Sequence, residues 1–301
     1  MSVVEKRALG RGGPLVSALG FGAWPIGGGM GRVERNAAID AVRAAVDRGI
    51  TLVDTAEAYH SSEEIIGEAL RDGYRERCFL ATKVSHDFSP HGIRKAIEKS
   101  LKALRVAQVD LYQVHSWKDR FPVERTMEEM RRLQDEGKTR FVGVSNFDAE
   151  QMARAAAVCP VQTNQVRYNI FQREIEDKTA PWCEEHGVGI LAYSPLAKGL
   201  LTGRYTPASV FASDDERSNV YPEFSGALLK EHIEKAERMK AIARDKGIGL
   251  IQMAIAWTLR RSVVSSTLVG AKSAAQVKDH VGAMGVTFTA EELARIDEAV
   301  K

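Results

Sequence analysis

The chain alternates between short apolar segments and segments with helical periodicity, and this alternation constrains its fold more than any other feature. The apolar segments are bounded by polar or turn residues, which is typical of buried strands. We predict about eight such strands, at residues 19–22, 49–53, 78–84, 109–115, 139–144, 161–165, 188–193 and 263–269. Because parallel strands need long crossover connections, this alternation favours a parallel sheet surrounded by helices.

Repeated strand–helix units of this number are expected to close into a barrel. We therefore predict an α/β fold of the (β/α)₈ TIM-barrel type. It occupies residues 1–301 as a single domain, with an N-terminal β-hairpin near residues 7–16 and an extra C-terminal helix. An open doubly wound sheet is the main alternative. It requires a glycine fingerprint that opens directly into a helix, and the glycines at 27–31 do not have that spacing.

Charge and composition exclude several classes of function. Lys and Arg number 42 against 40 Asp and Glu, so no strong field favours nucleic acid or an anionic membrane. No run approaches the roughly 18 apolar residues of a membrane span, and the N-terminus lacks a signal-peptide core, so we expect a cytoplasmic protein. Three widely spaced cysteines and seven histidines without ligand spacing predict no metal site.

Three consecutive predicted strands end on polar residues of different chemical types. Asp54 ends the first, with Tyr59 five residues later, and Lys83 and His115 end the next two. Since the strands of a parallel barrel all direct their C-terminal ends to one face, we expect these side chains to converge. A lysine in a buried strand needs a carboxylate to limit its desolvation cost, and Asp54 is the natural partner.

Together these four residues suit the reduction of a carbonyl group. An ammonium beside a phenol stabilises the phenolate, so we expect Lys83 to lower the pKa of Tyr59 from its reference of about 10 and make it a better proton donor. A neutral His115 would donate a hydrogen bond to the carbonyl oxygen and orient it. No side chain supplies a hydride, so a nicotinamide cofactor is implied.

Each of these residues also has an alternative interpretation, and Tyr59 taken alone could be a packed aromatic side chain. Asp54 could cap a helix that begins near Ser61, and His115 could be a hydrogen-bonded core histidine. Lys83 could instead form a Schiff base in a lyase or aldolase, as barrel lysines often do.

The chain resembles the aldo-keto reductase family from about residue 15 to residue 301. Residues 54–59, 82–84 and 113–115 are similar to the family segments that carry an Asp, Tyr, Lys and His tetrad. Residues 143–147 resemble the segment that binds the nicotinamide amide, and Gln165 matches a glutamine that also holds it. Residues 193–201 resemble the stretch in which an aromatic ring stacks on the nicotinamide and the backbone meets the pyrophosphate.

The resemblance implies an NADPH-dependent reductase of aldehydes and ketones, with NADH as a weaker cofactor. Lys272 and Ser273 would receive the adenosine 2′-phosphate after the last strand, although Gln276 and His280 replace an arginine and an asparagine common in the family. The implied cofactor contacts are Gly22, Trp24, Asp54, Ser145, Asn146, Gln165, Tyr193, Ser194, Leu196, Lys198, Gly199, Gly270, Lys272, Ser273, Gln276 and His280. On pattern alone, Lys272 could be a solvated lysine at a helix start, and Ser145 with Asn146 could form a turn or helix cap.

The implied substrate site contains Tyr59 and His115, with Trp24 and Trp117 as candidate walls. The family often places tryptophan directly after the histidine, whereas Ser116 intervenes here. Residues 204–226 are polar and lack periodicity, so they form either a loop over the cofactor or a disordered connection. The expected partner is a small aldehyde or ketone, in a monomer or simple homo-oligomer. An alternative is an NADP-binding redox sensor that contacts a partner protein and turns over little.

Overall fold

A computed structural model describes residues 4–301, and its centre is a closed barrel of eight parallel strands. The strand bounds are β1 (Lys6–Ala8), β2 (Leu15–Ser17), β3 (Leu19–Gly22), β4 (Leu52–Asp54), β5 (Phe79–Val84), β6 (Val109–Val114), β7 (Thr139–Ser145), β8 (Thr163–Arg167), β9 (Gly189–Tyr193) and β10 (Val264–Val269). The eight barrel strands are β3–β10, and β1 and β2 form a separate two-stranded sheet. Strand β3 pairs in parallel with β4 on one side and with β10 on the other, which closes the sheet. The predicted (β/α)₈ barrel is confirmed, and the open sheet is excluded.

Helices surround the barrel and alternate with its strands. They are α1 (Arg35–Asp47), α2 (Ser62–Ala69), α3 (Pro90–Leu104), α4 (Val123–Asp135), α5 (Ala149–Ala156), α6 (Thr179–His186), α7 (Gly226–Asp245), α8 (Leu250–Thr258), α9 (Ala274–Val281) and α10 (Ala290–Ala299). Helix α3 begins at Pro90, because the Ser89 side chain accepts a hydrogen bond from the Gly92 backbone and Pro90 occupies the first turn. Helix α10 is the predicted extra C-terminal helix. No helix within residues 4–301 is long and apolar enough to span a lipid bilayer.

The N-terminal hairpin closes the lower end of the barrel. Strands β1 and β2 pair antiparallel, and the Gln162 side chain donates to the backbone carbonyl of Leu9. Leu9 and Val16 are fully buried against apolar residues of the barrel interior, including Leu52 and Leu111. The hairpin therefore completes the core at the N-terminal ends of the strands.

Two strands begin two or three residues later than the sequence predicts. At the start of the predicted strand 49–53, the backbone N–H groups of Thr51 and Leu52 donate to the Ser17 hydroxyl, at 2.8 and 3.2 Å, instead of to a neighbouring strand. The strand predicted at 161–165 begins at Thr163. The side chain of the preceding residue, Gln162, donates to the backbone carbonyl of Leu9 in the hairpin. Both shifts arise because the hairpin supplies hydrogen-bond partners that a local pattern does not reveal.

The barrel interior changes from apolar to polar along the strands. Side chains two residues apart on a strand share a face, so Leu52 and Asp54 both face inward on β4. The same step of two residues leads from Ala81 to Lys83 on β5 and from Leu111 to Gln113 on β6. An apolar plug thus supports a layer of polar side chains at the C-terminal ends of the strands.

Candidate active site

Lys83 lies at the centre of this polar layer and is completely buried. Its Nζ donates to Asp54 Oδ1 at 2.6 Å, to the backbone carbonyl of Thr55 at 2.8 Å and to the Tyr59 hydroxyl at 3.4 Å. An ammonium group has three N–H bonds, and these contacts use all of them. Burial acts to lower the pKa of Lys83, and Asp54 opposes that shift.

Asp54 is held from several directions. Its Oδ2 accepts hydrogen bonds from Gln165 Nε2 at 2.9 Å and from Gln113 Nε2 at 3.2 Å, while Oδ1 accepts from Lys83. The carboxylate does not cap α2, whose N-cap position is Ser61 and lacks a side-chain cap bond. The capping alternative is therefore wrong, and Asp54 serves as the counterion of a buried lysine.

The Schiff-base alternative finds no support in this geometry. Lys83 has no exposed surface and does not line the cleft above it, so a carbonyl carbon has no approach to Nζ. A nucleophilic amine also needs a free lone pair, whereas this group is held as a three-way donor to Asp54, Thr55 and Tyr59.

Tyr59, like Asp54, is a neighbour of Lys83 that lines the cleft. Burial raises the pKa of Tyr59 well above its ordinary value, and the negative charge of Asp54 adds to the rise. The expectation that Lys83 lowers this pKa is therefore wrong for this structure. Asp54 neutralises the ammonium, and desolvation of the phenolate outweighs the remaining attraction. The phenol is consequently protonated over the whole physiological range.

His115 packs edge-to-face against Tyr59, with 5.4 Å between the ring centres. Its Nε2 is 3.5 Å from the Tyr59 hydroxyl, and its Nδ1 is 2.8 Å from the hydroxyl of Ser85. Burial, reinforced by the charge of Lys83, lowers the pKa of His115 to about 3. The imidazole is therefore neutral, as the sequence-based mechanism requires, and carries one proton to share between two nitrogens.

An elongated cleft of about 550 Å³ opens at the C-terminal ends of the strands. Most of the predicted site residues line it, from the tetrad end to the segment after β10. These are Gly22, Trp24, Asp54, Tyr59, His115, Ser145, Asn146, Gln165, Tyr193, Ser194, Leu196, Lys198, Gly199, Gly270, Lys272, Gln276 and His280. Lys83 lies beneath the floor of the cleft, and two other predicted residues do not line it.

Those two residues are Trp117 and Ser273. Trp117 donates from Nε1 to the Phe121 carbonyl at 2.7 Å and packs against Phe147, so its ring turns away from the cleft. The Ser273 hydroxyl accepts a hydrogen bond from the Gln276 backbone and caps α9. The place of Trp117 in the substrate site is therefore not supported, whereas the capping bond leaves the O–H of Ser273 free to donate.

Amide groups and one aromatic ring surround the end of the cleft next to the tetrad. Asn146 Nδ2 donates to the His115 carbonyl at 3.1 Å, and Asn146 Oδ1 accepts from the Tyr193 hydroxyl at 2.9 Å. Ser145 Oγ donates to the backbone of Gln165 at 2.8 Å. Asp148, not Ser145 or Asn146, forms the capping box of α5. Since Gln165 uses Nε2 for Asp54, its Oε1 is left to accept a hydrogen bond from a bound group.

The loop after β9 has an unusual backbone that shapes the middle of the cleft. Ser194, Ala197 and Lys198 have φ values of 55°, 45° and 51°, a region that non-glycine residues rarely adopt. Gly199 follows with φ 108°, and a Cβ there would lie 2.6 Å from the Tyr205 hydroxyl. The N–H groups of Ala197 and Gly199 donate to the carbonyls of Ser194 and Leu196, so Leu196 and Lys198 supply the backbone donors that remain for an anionic ligand.

The far end of the cleft is cationic. Lys272 Nζ donates to the backbone carbonyl of Met30, and burial together with Arg217 lowers the pKa of Lys272. Gln276 Oε1 accepts from the Lys272 backbone at 2.7 Å. Burial and Arg204 lower the pKa of His280 to about 4, so this histidine is neutral. Gly270 packs so closely on Pro25 that a Cβ would lie 2.4 Å from the proline ring.

Several lining residues were not predicted from the sequence. Arg167 is in register with Tyr193, and Lys198 Nζ lies 4.0 Å from the centre of the Tyr221 ring. Glu216 and Arg217 come from the segment 204–226 and line the cleft with Tyr221. Arg167 could have been found, because it lies two residues after Gln165 on the same strand face. Residues 216–221 carry no such signal, since no periodic pattern places them.

Comparison with known proteins agrees with the fold and the cleft. Residues 18–301 match the profile of the Aldo/keto reductase family, so the chain belongs to this family. It is therefore an oxidoreductase that carries the tetrad motifs on a (β/α)₈ barrel. The resemblance inferred from the sequence is confirmed.

Individual relatives match nearly the whole chain. The aldo-keto reductase YhdN of Bacillus subtilis is 37% identical, over 96% of this chain and 91% of its own length. The structure of a glycerol dehydrogenase from Gluconobacter oxydans has a TM-score of 0.88 at 33% identity, covering 99% of this chain and 95% of that one. The structure of an aldo-keto reductase from Klebsiella pneumoniae in complex with NADPH has a TM-score of 0.80 at 31% identity. The match covers 98% of this chain and 95% of that one.

Proposed function

We propose that this protein reduces aldehydes and ketones to alcohols with NADPH, using Tyr59 as the general acid. The observation that supports this most strongly is the placement of the Tyr59 hydroxyl, between Lys83 Nζ at 3.4 Å and His115 Nε2 at 3.5 Å on the floor of the cleft. A protonated phenol and a neutral imidazole are then two donors that face one small volume. A carbonyl oxygen in that volume can accept from both.

The proton moves from the Tyr59 hydroxyl to the carbonyl oxygen as negative charge develops there. Lys83 donates to the phenol oxygen, so it stabilises the phenolate at the moment the proton leaves. Asp54 holds the ammonium in place through the 2.6 Å contact. Lys83 thereby offsets part of the desolvation cost that raises the pKa of Tyr59.

Bound NADPH would supply the hydride to the carbonyl carbon. The residues present fit this cofactor. Asn146 and Gln165 provide the amide donors and acceptors that a carboxamide requires, and Tyr193 provides a flat apolar face beside them. The N–H groups of Leu196 and Lys198 would donate to a diphosphate, because those of Ala197 and Gly199 are used within the loop.

The preference for NADPH over NADH is assigned to Lys272. This side chain lines the end of the cleft opposite the tetrad, where an adenosine 2′-phosphate would lie in this orientation. The complex of the Klebsiella pneumoniae relative with NADPH supports the choice of cofactor. The Ser273 hydroxyl accepts the capping bond from the Gln276 backbone, and its O–H can donate to the same phosphate.

The substitution Tyr59→Phe tests the proposal. It removes one oxygen and retains the ring, so packing and cofactor affinity should change little. Loss of a positioned acid typically costs about 10²–10⁴-fold in rate, and we expect kcat for aldehydes to fall by that factor. Tyr112→Phe is a matched control, because it removes a buried tyrosine hydroxyl on β6 that lies outside the cleft. Steady-state kinetics and fluorescence titration with NADPH measure both quantities.

A Tyr59→Phe variant with the turnover of the parent would contradict the assignment of the acid. The parent should also show sustained turnover with a panel of aldehydes, ketones and sugars, faster with NADPH than with NADH. A single stoichiometric oxidation of bound NADPH across that panel would instead support the redox-sensor alternative.

A further inference from the structure

Ser85 contacts the imidazole of His115 on the side away from the cleft. It follows β5 directly, and its Oγ lies 2.8 Å from His115 Nδ1, closer than any contact made by Nε2. Ser85 does not line the cleft. Its hydroxyl is therefore placed to act on His115 and not on a ligand.

The backbone holds Ser85 in this position. The Ser85 N–H donates to Glu57 Oε2 at 3.0 Å, and the Glu57 N–H donates to the Lys83 carbonyl at 3.1 Å. The His115 N–H donates to the Val84 carbonyl at 3.0 Å. The loop after β4, the end of β5 and the end of β6 are thus joined around the imidazole.

The hydrogen bond at Nδ1 determines which nitrogen of the imidazole carries the proton and can donate it. A neutral imidazole has one N–H, and the partner of one nitrogen selects the tautomer. If Ser85 donates to Nδ1, the proton resides on Nε2, which faces Tyr59 and the cleft. If Nδ1 donates to Ser85 instead, Nε2 becomes an acceptor and attracts the Tyr59 proton away from the cleft.

We infer that Ser85 is a positioning residue whose hydroxyl donates to Nδ1 of His115 and keeps the proton on Nε2. This inference rests on the proposed function, because two donors at one carbonyl oxygen require both the Tyr59 hydroxyl and an Nε2–H. Ser85 then fixes the orientation of the ring as well as its tautomer. His115 and Tyr59 act on the substrate, and Ser85 acts only through His115.

Nitrogen-15 spectra of the full chain, labelled at histidine, measure the tautomer directly. The spectrum of His115→Asn identifies the His115 signals by their disappearance. We expect the parent protein near neutral pH to show a protonated Nε2 and an unprotonated, hydrogen-bonded Nδ1. A protonated Nδ1 in the parent would overturn the inference.

Substitutions at Ser85 test the consequence for turnover. Ser85→Ala removes one neutral hydrogen bond, so kcat should fall about twofold to tenfold, with the Nδ1 resonance shifted and the Kd for NADPH unchanged. Ser85→Thr retains a hydroxyl and should restore the resonance and most of kcat. A Ser85→Ala variant with the kcat and Nδ1 resonance of the parent would overturn the inference.

Ser89→Ala separates positioning from stability. Ser89 lies on the same β5–α3 loop and caps α3, so its loss should destabilise the fold by about 1 kcal/mol without shifting the His115 resonances. A His115 shift of the same size in Ser89→Ala would show that Ser85 acts only through general stability. If the parent shows an Nε2–H but reduces no carbonyl, the role of Ser85 is supported and only the proposed function is contradicted.

Discussion

Two lysines of this protein differ in whether their charge is available to a bound ligand. Lys83 is fully buried and forms an ion pair with Asp54, so its charge is already balanced before any ligand binds. Lys272 is half-buried, lines the cleft and donates to a backbone carbonyl. Within residues 4–301 it forms no ion pair. Its charge is therefore available to an anionic ligand.

The substitution Lys272→Ala should reduce the preference for NADPH. A charge-assisted contact contributes roughly 1.5–3 kcal/mol, which corresponds to about tenfold to a hundredfold in the Kd for NADPH. The Kd for NADH, which lacks the 2′-phosphate, should remain nearly unchanged. Lys278→Ala removes the same charge from an exposed position on α9 and is the control. Fluorescence titration with both cofactors measures the effect, and an equal loss for both would contradict the assignment.

The sequence predicted that four polar side chains converge, but it did not predict the electrostatics of Tyr59. The types and spacing of Asp54, Tyr59, Lys83 and His115 indicate proton chemistry, because strand ends converge in a parallel barrel. The direction of the Tyr59 pKa shift depends on how much of the Lys83 charge Asp54 cancels and on the depth of the phenol. Neither quantity is local in the sequence. The orientation of Trp117 was missed for the same reason, since it depends on Phe121 and Phe147.

At the scale of a single element, the segment 204–226 is held by one arginine and a small aromatic cluster. Arg217 forms an ion pair with Asp215 and lies 4.8 Å from the centre of the Phe211 ring. Phe211 packs edge-to-face on Tyr205 and Phe224, each at 5.2 Å between ring centres. The segment is thus an ordered wall of the cleft, and not a disordered connection.

The substitution Arg217→Met should loosen this wall. A partly exposed charged contact is worth about 1 kcal/mol, so we expect the Kd for NADPH and for NADH to rise together by about fivefold. Cleavage by a protease within residues 204–226 should become faster in the absence of cofactor. Arg125→Met, at an exposed position on α4, is the control. If neither cofactor affinity nor cleavage changes, Arg217 does not hold the segment.

The sequence left two alternatives for this segment because its order depends on distant partners. Strands and helices carry a periodicity that follows from burying one face. Residues 204–226 instead form short 3₁₀ turns, at Glu216–Ser218 and Pro222–Phe224, which have no such period. The aromatic residues that hold them are spaced irregularly along the chain. A segment of this kind can be recognised as a loop from its sequence, but its packing cannot be.

At the scale of the whole molecule, two buried histidines link stability to pH. Burial lowers the pKa of His115 to about 3 and of His280 to about 4, whereas both are near 6.5 in an unfolded chain. As pH falls below about 6.5, the unfolded state therefore binds protons that the native state excludes. The free energy of unfolding should decrease as pH falls through this range and level off above it.

The expected slope is about 1.4 kcal/mol per pH unit for each histidine at full effect. Glu63 reduces this slope, because burial raises the pKa of its carboxyl group. The native state therefore binds a proton at Glu63 more readily than the unfolded state does. Urea unfolding at pH 7.5, 6 and 5 measures the slope, and His280→Gln isolates one contribution while retaining Glu63. The slope between pH 6 and 5 should be shallower in the variant. An identical slope would show that His280 is charged in the native protein.

The barrel as a whole was predictable because its alternation of strands and helices is a property of the entire chain. Closure followed from the number of strands and from the absence of a dinucleotide fingerprint near Gly28. The starts of β4 and β8 were misplaced, since Ser17 and Leu9 in the hairpin take part in hydrogen bonds that a local window does not contain.

The hairpin β1–β2 also has a consequence for the timing of turnover. With Leu9 and Val16 packed into the lower end of the barrel, the described part of the chain leaves the upper mouth for the entry and exit of both reactants. In the proposed function, Tyr193 and Gln165 would hold the nicotinamide end of the cofactor in that mouth, and the carbonyl compound would lie above it. We therefore expect an ordered kinetic mechanism, in which the cofactor binds first and leaves last.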